Sequence, residues 1–449
     1  MARKNKIEDI LVEEVHFPNL AQGKDPQGKP IEVKGGLPGQ KIRVQVTRNR
    51  PEIKKAKFLE VLEPAPYEGP SPCPHSPVCG GCAYQTLSYQ QESAYKKDLL
   101  DKLLAPYLGP QGIPYTPSPQ EGAYRNKMEY TFGDEFKGGP LALGLHRKAR
   151  FYELVNTPHC LLVHEDFNRL REAVRSYFEE TGVPAYHRAR HEGTLRHLVI
   201  RKSRATGQIL LNLVTRTTDL DLNPLVDLLL ALDLEGDLVS IYHTENDGVA
   251  DIVQADALHL LYGQEAIQEE LLGLKFSIGP FSFFQPNPFT AEIIYQKARD
   301  LAGQEKGLVF DLYSGTGTIG QILAQEAQKV IGIELVEEAV DQARKTAQLN
   351  GLKNVHFLAG DVLQVLDQVE EKPNLVVLDP PRTGVHPKAI QKILDLAPKR
   401  ILYISCNPKT LAQDMEAFLA SHYQLSHLEA IDQFPRTVHL ECVALLSRK

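Results

Sequence analysis

The 449-residue chain contains no run of 18 or more apolar residues, so it offers no segment able to cross a bilayer as a helix. Its opening MARKNKIEDI lacks the apolar stretch of a secretory signal, and a cytoplasmic protein with no membrane partner is expected. Six cysteines in such a chain do not make a disulfide framework; they are candidates for metal ligation and nucleophilic chemistry. No internal repeat or low-complexity tract is evident. Lysine and arginine are absent from residues 217–274, which carry 13 acidic groups, whereas residues 1–60 hold 13 basic against 8 acidic and residues 123–216 hold 16 against 10. The net charge of −7 therefore does not exclude a polyanion, because the segregation permits two basic faces.

The length predicts two or three domains. Residues 1–63 read as a small OB-like β-barrel, with short β-branched runs punctuated by glycine and proline at hairpin spacing. Within it Lys41, Arg43, Arg48, Arg50, Lys54, Lys55 and Lys57 stand against Glu52 alone, a face suited to RNA or single-stranded nucleic acid. Residues 64–83 are a proline- and glycine-rich connector carrying Cys73, Cys79 and Cys82 in C-x5-C-x2-C spacing. Such a loop can aim three thiolates at one metal centre; Cys160 is the spare candidate for a fourth ligand, and spacing leaves zinc and iron-sulfur both open. The C-x3-C-x2-C spacing usual for radical chemistry is absent. Residues 84–285 read as an α+β region: a helix over LSYQQESAYKKDLLDKLLAPYLG, then strands alternating like an antiparallel sheet with basic residues interleaved.

Residues 286–449 switch to strand-helix alternation, which predicts a doubly wound parallel sheet with strands LVFDLY, KVIGIE, VHFLAG, NLVVLD and RILYIS. DLYSGTGTIG follows the first of these, with Gly315, Gly317 and Gly320 in G-x-G-x-x-G spacing, and Glu334 ends the next strand where a carboxylate can grip ribose hydroxyls. A nicotinamide dinucleotide and S-adenosylmethionine (SAM) both fit that pattern. Asp311 before the loop and Asp361 after the third strand favour SAM, which is cationic and has no pyrophosphate. The fourth strand ends in Asp379-Pro380-Pro381, followed by Arg382 rather than the aromatic residue typical of amino methylation. That leaves carbon methylation. Cys406 stands at the end of the fifth strand, just before a helix start that favours a thiolate. C5 of uracil is too weak a nucleophile to take a methyl unaided. A thiolate adding at C6 moves electron density to C5, and a base must then remove the C5 proton. Glu441, in an apolar run that raises its pKa, is the expected base, with His439 as runner-up and Cys442 in the core.

DLYSGTGTIG, DPPR, SCNP and FPxTxHLE, in this order, resemble the RNA uracil-C5 methyltransferases, which act on 23S ribosomal RNA or the tRNA T-loop. The likeness covers nearly the whole chain: the first 60 residues are similar to a TRAM domain, and YRNK and LRHLVIR to the family's central RNA-binding domain. The resemblance implies Cys406 as nucleophile and Glu441 as proton acceptor. It implies SAM contacts at Gln285, Tyr313, Glu334 and Asp379, with Asp361 and Thr318 further candidates. It also implies a 4Fe-4S cluster on Cys73, Cys79, Cys82 and Cys160, structural or RNA-orienting because all four irons are ligated. The glycine-rich run before the first turn of the TRAM-like segment is less regular than the family's usual one. The expected activity is SAM-dependent uridine C5 methylation by a monomer, with 23S ribosomal RNA favoured and the tRNA T-loop the alternative. An RNA-binding protein with an inert methyltransferase half is opposed by the intact motifs, and a nicotinamide oxidoreductase would leave Cys406 and Glu441 without a role.

Overall fold

The computed structural model describes residues 6–136, 138–188, 190–250, 253–303, 307–369 and 371–449, with the side chains of residues 151 and 152 left out. The chain forms two compact units: one of residues 1–113, 145–155 and 434–439, the other of residues 114–144, 156–433 and 440–449.

In the first unit, six short strands between Ile7 and Glu63 form one sheet. The strand Ile7–Leu11 buries alternate residues and pairs antiparallel with Lys41–Asn49, so Ile10, Ile42 and Val44 enter the core with Val15, Ile31 and Val33. Helix Tyr89–Leu104 starts at a capping box of Ser88 and Gln91 and adds Leu99 to that core. On the same helix Glu92 and Lys96 form a buried ion pair at 2.7 Å. Lys96 also donates to the Phe434 carbonyl at 3.2 Å, and the Arg436 amide donates to Glu92 at 2.6 Å, which anchors the 434–439 segment.

The basic run of residues 41–57 is less free than its count suggests. Arg43 pairs with Asp9 and Glu60, Lys41 with Glu63 and Lys55 with Glu32. Lys54 is buried between Glu8 (2.8 Å) and Asp25 (2.5 Å) and faces no solvent partner. Strand pairing put these cations opposite carboxylates. Among the described residues Arg48, Arg50 and Lys57 are the members of the set without a carboxylate within ion-pair distance.

The second unit contains two large sheets. In the first, residues 141–144 and the strands Lys127–Asp134, Leu195–Lys202 and Ile209–Thr215 run antiparallel in that order. The next pairing departs from the expected pattern: Leu238–Glu245 lies parallel to Ile209–Thr215, because helix Asn223–Leu230 carries the chain back between them. The second sheet has the order Val355–Ala359, Lys329–Glu334, Leu308–Leu312, Leu375–Leu378, Arg400–Ser405, Glu441–Arg448, Tyr423–Ile431 and Tyr115–Thr116. The first five are parallel, as the strand-helix alternation predicts. Glu441–Arg448 enters antiparallel, so its amino end lies at the edge where its neighbour's carboxyl end lies. Ile401, Leu402, Tyr403 and Ile404 are fully buried, and so are Val443, Ala444 and Leu446 opposite them. Both faces of this pair are therefore buried, and close packing on either side holds the register.

Burial raises the Glu8 carboxyl, but hydrogen bonds from Lys54 and Lys6 outweigh it; Asp25 is lowered chiefly by its bond to Lys54. Both end below their ordinary values, so the stability they supply is complete at neutral pH and is lost as pH falls through the lowered values. Lys54→Met leaves two carboxylates facing each other in the core. Its melting midpoint at pH 7 should fall by several degrees in thermal unfolding, with a smaller deficit at pH 3, where both carboxyls approach protonation.

Candidate active site

The carboxyl edge of the parallel sheet collects the predicted site residues. Tyr313 follows the strand Leu308–Leu312, Glu334 ends the next, Asp361 lies two residues beyond Val355–Ala359, Asp379 follows Leu375–Leu378 and Cys406 follows Arg400–Ser405. Glu441 reaches the same edge from the opposite direction. Ser405 pairs with Cys442 across the antiparallel ladder, so the next position outward sets Cys406 opposite Glu441, and directly opposed residues point to one face. Cys442 itself is fully buried.

The glycine loop is shaped by sterics. Tyr313 holds a left-handed backbone at φ +63°, a conformation a bulky residue adopts only under constraint. Gly317 has φ +74°, and a Cβ there would lie 2.4 Å from the Phe357 ring. Glu334 accepts from the Gly315 amide (2.9 Å) and the Val336 amide (3.0 Å), which pins the loop to the second strand. Asp361 caps the following short helix by accepting from the Leu363 amide at 2.8 Å, and Thr318 opens the helix after the glycine loop. Gln285 is buried on the segment before helix Pro288–Ala302; its backbone carbonyl accepts from the Asn126 side chain at 3.0 Å.

The site is rich in acid. Asp311 is fully buried, accepts from the Gly320 amide at 2.9 Å through Oδ2, and leaves Oδ1 without a partner. Its carboxyl is pushed up to about 7 by burial and then by Asp379 and Glu334. Asp379 is likewise pushed up to about 7 by burial. Glu441 is held well above the ordinary carboxyl range by burial and by Asp379, with Arg382 acting against them. The helix start after Cys406 was expected to favour its thiolate. The thiol is raised to about 11, by burial first and then by Glu441 and Asp379, while Arg382 opposes both through its charge and a hydrogen bond. Arg382 is therefore the cation of the site, a role that its place in DPPR did not reveal. Its carbonyl accepts from the Asn407 side chain at 2.8 Å, tying the DPPR and SCNP turns together.

Tyr295, another residue the motifs did not mark, is buried on helix Pro288–Ala302 near Asp379, Glu441 and Asp311 and bonds the Gln285 side chain. His439, the alternative base, lies in the other compact unit, its ring edge-on to Phe434.

The cysteine loop belongs to the first unit. The Gly81 amide donates to Cys79 Sγ and the Gln85 side chain to Cys82 Sγ, each at 3.4 Å. Burial depresses the Lys148 ammonium while Cys82, Cys79 and Cys73 together pull it back up, so the three thiols share one cation. Cys160 lies in the second unit, its amide donating to Asn168 at 3.0 Å. Among the described residues no three cysteine, histidine or carboxylate side chains are arranged for a single metal ion.

A family model described as tRNA (uracil-5-)-methyltransferase matches residues 249–449, and one described as TRAM domain matches residues 2–59. An uncharacterized RNA methyltransferase of Clostridium tetani is 44% identical over 451 aligned residues, which cover 100% of this chain and 99% of the relative. The chain belongs to the RNA uracil-5-methyltransferase family. A second RNA methyltransferase, from Caldanaerobacter subterraneus, is 45% identical and covers 99% of each chain. The crystal structure of the Pyrococcus abyssi tRNA (uracil-54, C5)-methyltransferase in complex with S-adenosyl-L-homocysteine matches with a TM-score of 0.77. It is 26% identical and covers 97% of this chain and 99% of its own. The multidomain architecture of a TRAM domain joined to a methyltransferase fold is thus that of the family.

An acid whose pKa is raised in the folded state costs stability as pH rises from its unfolded value to its folded one. Asp379→Asn should therefore raise the melting midpoint at pH 8, by the equivalent of up to about 4 kcal/mol. The gain should vanish toward pH 4, and thermal scans across that range check it.

Proposed function

We propose that this enzyme methylates C5 of a uridine in RNA with SAM as donor, through a covalent bond between Cys406 and C6 of the base. The observation that carries the reading is the apposition of Cys406 and Glu441 at one sheet edge, with Asp379 and Arg382 beside them. The residues fit SAM. Asp311 and Asp379 form an acidic pocket edge, and the unpartnered Asp311 Oδ1 is an acceptor awaiting a donor. Gln285, Tyr313, Glu334, Asp361 and Asp379 would hold the cofactor, which supplies an electrophilic methyl on a positively charged sulfur.

Cys406 acts as the thiolate. Arg382 already favours that form, and a cationic ligand beside Asp379 would reverse the pressure that keeps the sulfur protonated. Sγ bonds to C6, the ring's electron pair moves toward C5, and C5 takes the methyl. Glu441, ionised once positive charge is near, accepts the C5 proton. The electrons of that C–H bond restore the ring double bond as the C6–Sγ bond breaks and the thiolate leaves. The base must stand clear of its stack to reach both side chains.

Residues 1–63 would act as the RNA-holding TRAM module, 64–83 as the cysteine loop, 84–285 as the central RNA-binding region and 286–449 as the methyltransferase. A 4Fe-4S cluster on Cys73, Cys79, Cys82 and Cys160 is consistent with the N–H donors at two of the sulfurs and with Lys148, since cluster thiolates are stabilised by such contacts. It would be structural or RNA-orienting. The protein as purified without air should carry iron and a broad visible absorbance, both lost in Cys79→Ala.

The substrate we favour is 23S ribosomal RNA, processed by a cytoplasmic monomer. The tRNA T-loop is the second reading, favoured by the full-length match to an enzyme named for uracil-54 of tRNA. Incubation with SAM and unmodified total RNA, followed by mapping of 5-methyluridine by mass spectrometry, decides between them. Cys406→Ala should give no product, and retained turnover would remove the mechanism. Glu441→Gln should turn over about 10²–10⁴-fold more slowly and accumulate methylated RNA bound to the protein, visible as a shifted band on a denaturing gel.

A further inference from the structure

Beneath the site lies a buried polar chain that the reaction scheme does not use. Gln433 ends the turn after strand Tyr423–Ile431 and is fully buried, as are Thr290 and Asn287 at the start of helix Pro288–Ala302. Thr290 Oγ1 donates to Gln433 Oε1, and Gln433 Nε2 donates to Gln285 Oε1 at 3.0 Å. The backbone of Gln433 is held too: its carbonyl accepts from Asn287 Nδ2 at 3.1 Å and its amide donates to the Ile431 carbonyl at 2.9 Å.

A primary amide has one acceptor end and one donor end of nearly the same shape, so a glutamine in a pocket can present either. Here the choice is made upstream. Thr290 Oγ1 has two acceptors in reach, Gln433 Oε1 and, at 3.4 Å, the Asn287 carbonyl; the nearer Gln433 takes its one proton, which turns the NH₂ of Gln433 toward Gln285 and commits the Gln285 carbonyl. Only the Nε2 end of Gln285 remains for the site. One of its protons serves the Tyr295 oxygen, a bond that lowers the phenol against the effect of burial. The other is available to a ligand.

We propose that Gln433, set by Thr290, is a positioning residue that fixes Gln285 as a hydrogen-bond donor, so that Gln285 selects an acceptor oxygen. This rests on the proposed reaction, in which two such oxygens enter the site: the carboxylate of the cofactor's methionine moiety and a carbonyl of uracil. A flipped Gln285 would offer its own oxygen to either and repel it. Both members of the relay are polar and buried, and an apolar side chain of equal size at either position would fill the space but leave the facing polar atom unpaired. Their chemistry therefore matters through its direction.

The test uses full-length wild type, Gln433→Met and Thr290→Val, with Thr290→Ser as the conservative variant. S-adenosylhomocysteine is titrated by calorimetry, and kcat and KM are measured on unmodified RNA. Gln433→Met should lose about tenfold in one constant only. A loss in S-adenosylhomocysteine affinity identifies the cofactor carboxylate. A loss in kcat/KM for RNA with cofactor affinity intact identifies the uracil carbonyl. Thr290→Val should move the same constant in the same direction, and Thr290→Ser should not. If Gln433→Met does not fold, Thr290→Val carries the comparison with Thr290→Ser. Unchanged constants, or a fall in both together with the melting midpoint, overturn the proposal while leaving the reaction standing. A wild type that neither binds S-adenosylhomocysteine nor methylates RNA overturns the reaction and this inference with it.

Discussion

The site depends on the register between the strands Arg400–Ser405 and Glu441–Arg448. Their antiparallel pairing brings the start of one to the end of the other and sets Cys406 opposite Glu441, although 34 positions separate them. Nothing local to either residue holds the pair together. The buried runs behind them do, because both strands lie inside the core with their side chains close-packed on either face and their backbones paired residue by residue. A slip of one residue would put Cys442 in place of Glu441. The chemistry would then have two thiols and no base.

What the register assembles is electrostatically unsatisfied. Asp311, Asp379 and Glu441 are all raised above the ordinary carboxyl range, and Cys406 is raised with them. Arg382 opposes the shift at Glu441 and Cys406. Together with the left-handed Tyr313, this is a region that costs stability and would be relieved by a ligand carrying positive charge. In the proposed reaction a cationic methyl donor would supply that charge when the thiolate and the base are both needed.

Much of this could be read from the sequence because parallel strands announce themselves. Runs such as NLVVLD and RILYIS are apolar on both faces and end in a residue that must stand at the sheet edge, so DPPR, SCNP and the glycine loop could be placed there without coordinates. Interactions between distant residues could not. Tyr115–Thr116, two residues long, becomes the outermost strand of the second sheet and carries no pattern of its own. Lys54 looked like part of a basic face, and only strand pairing shows it between Glu8 and Asp25. The ionisation of Cys406 likewise depends on more than its own segment. The helix start is local and legible, whereas burial and the charges of Asp379 and Glu441 come from three other segments.

The most direct test of the central claim is to incubate the enzyme and SAM with RNA containing 5-fluorouridine, digest the complex and locate any RNA-linked peptide by mass spectrometry. Fluorine at C5 cannot leave as a proton would, so the bond from sulfur to C6 should persist after the methyl has been transferred. The account predicts one linked peptide, with the methylated nucleotide attached at Cys406. Methylated RNA with no linked peptide, or a link at Cys442, would contradict it.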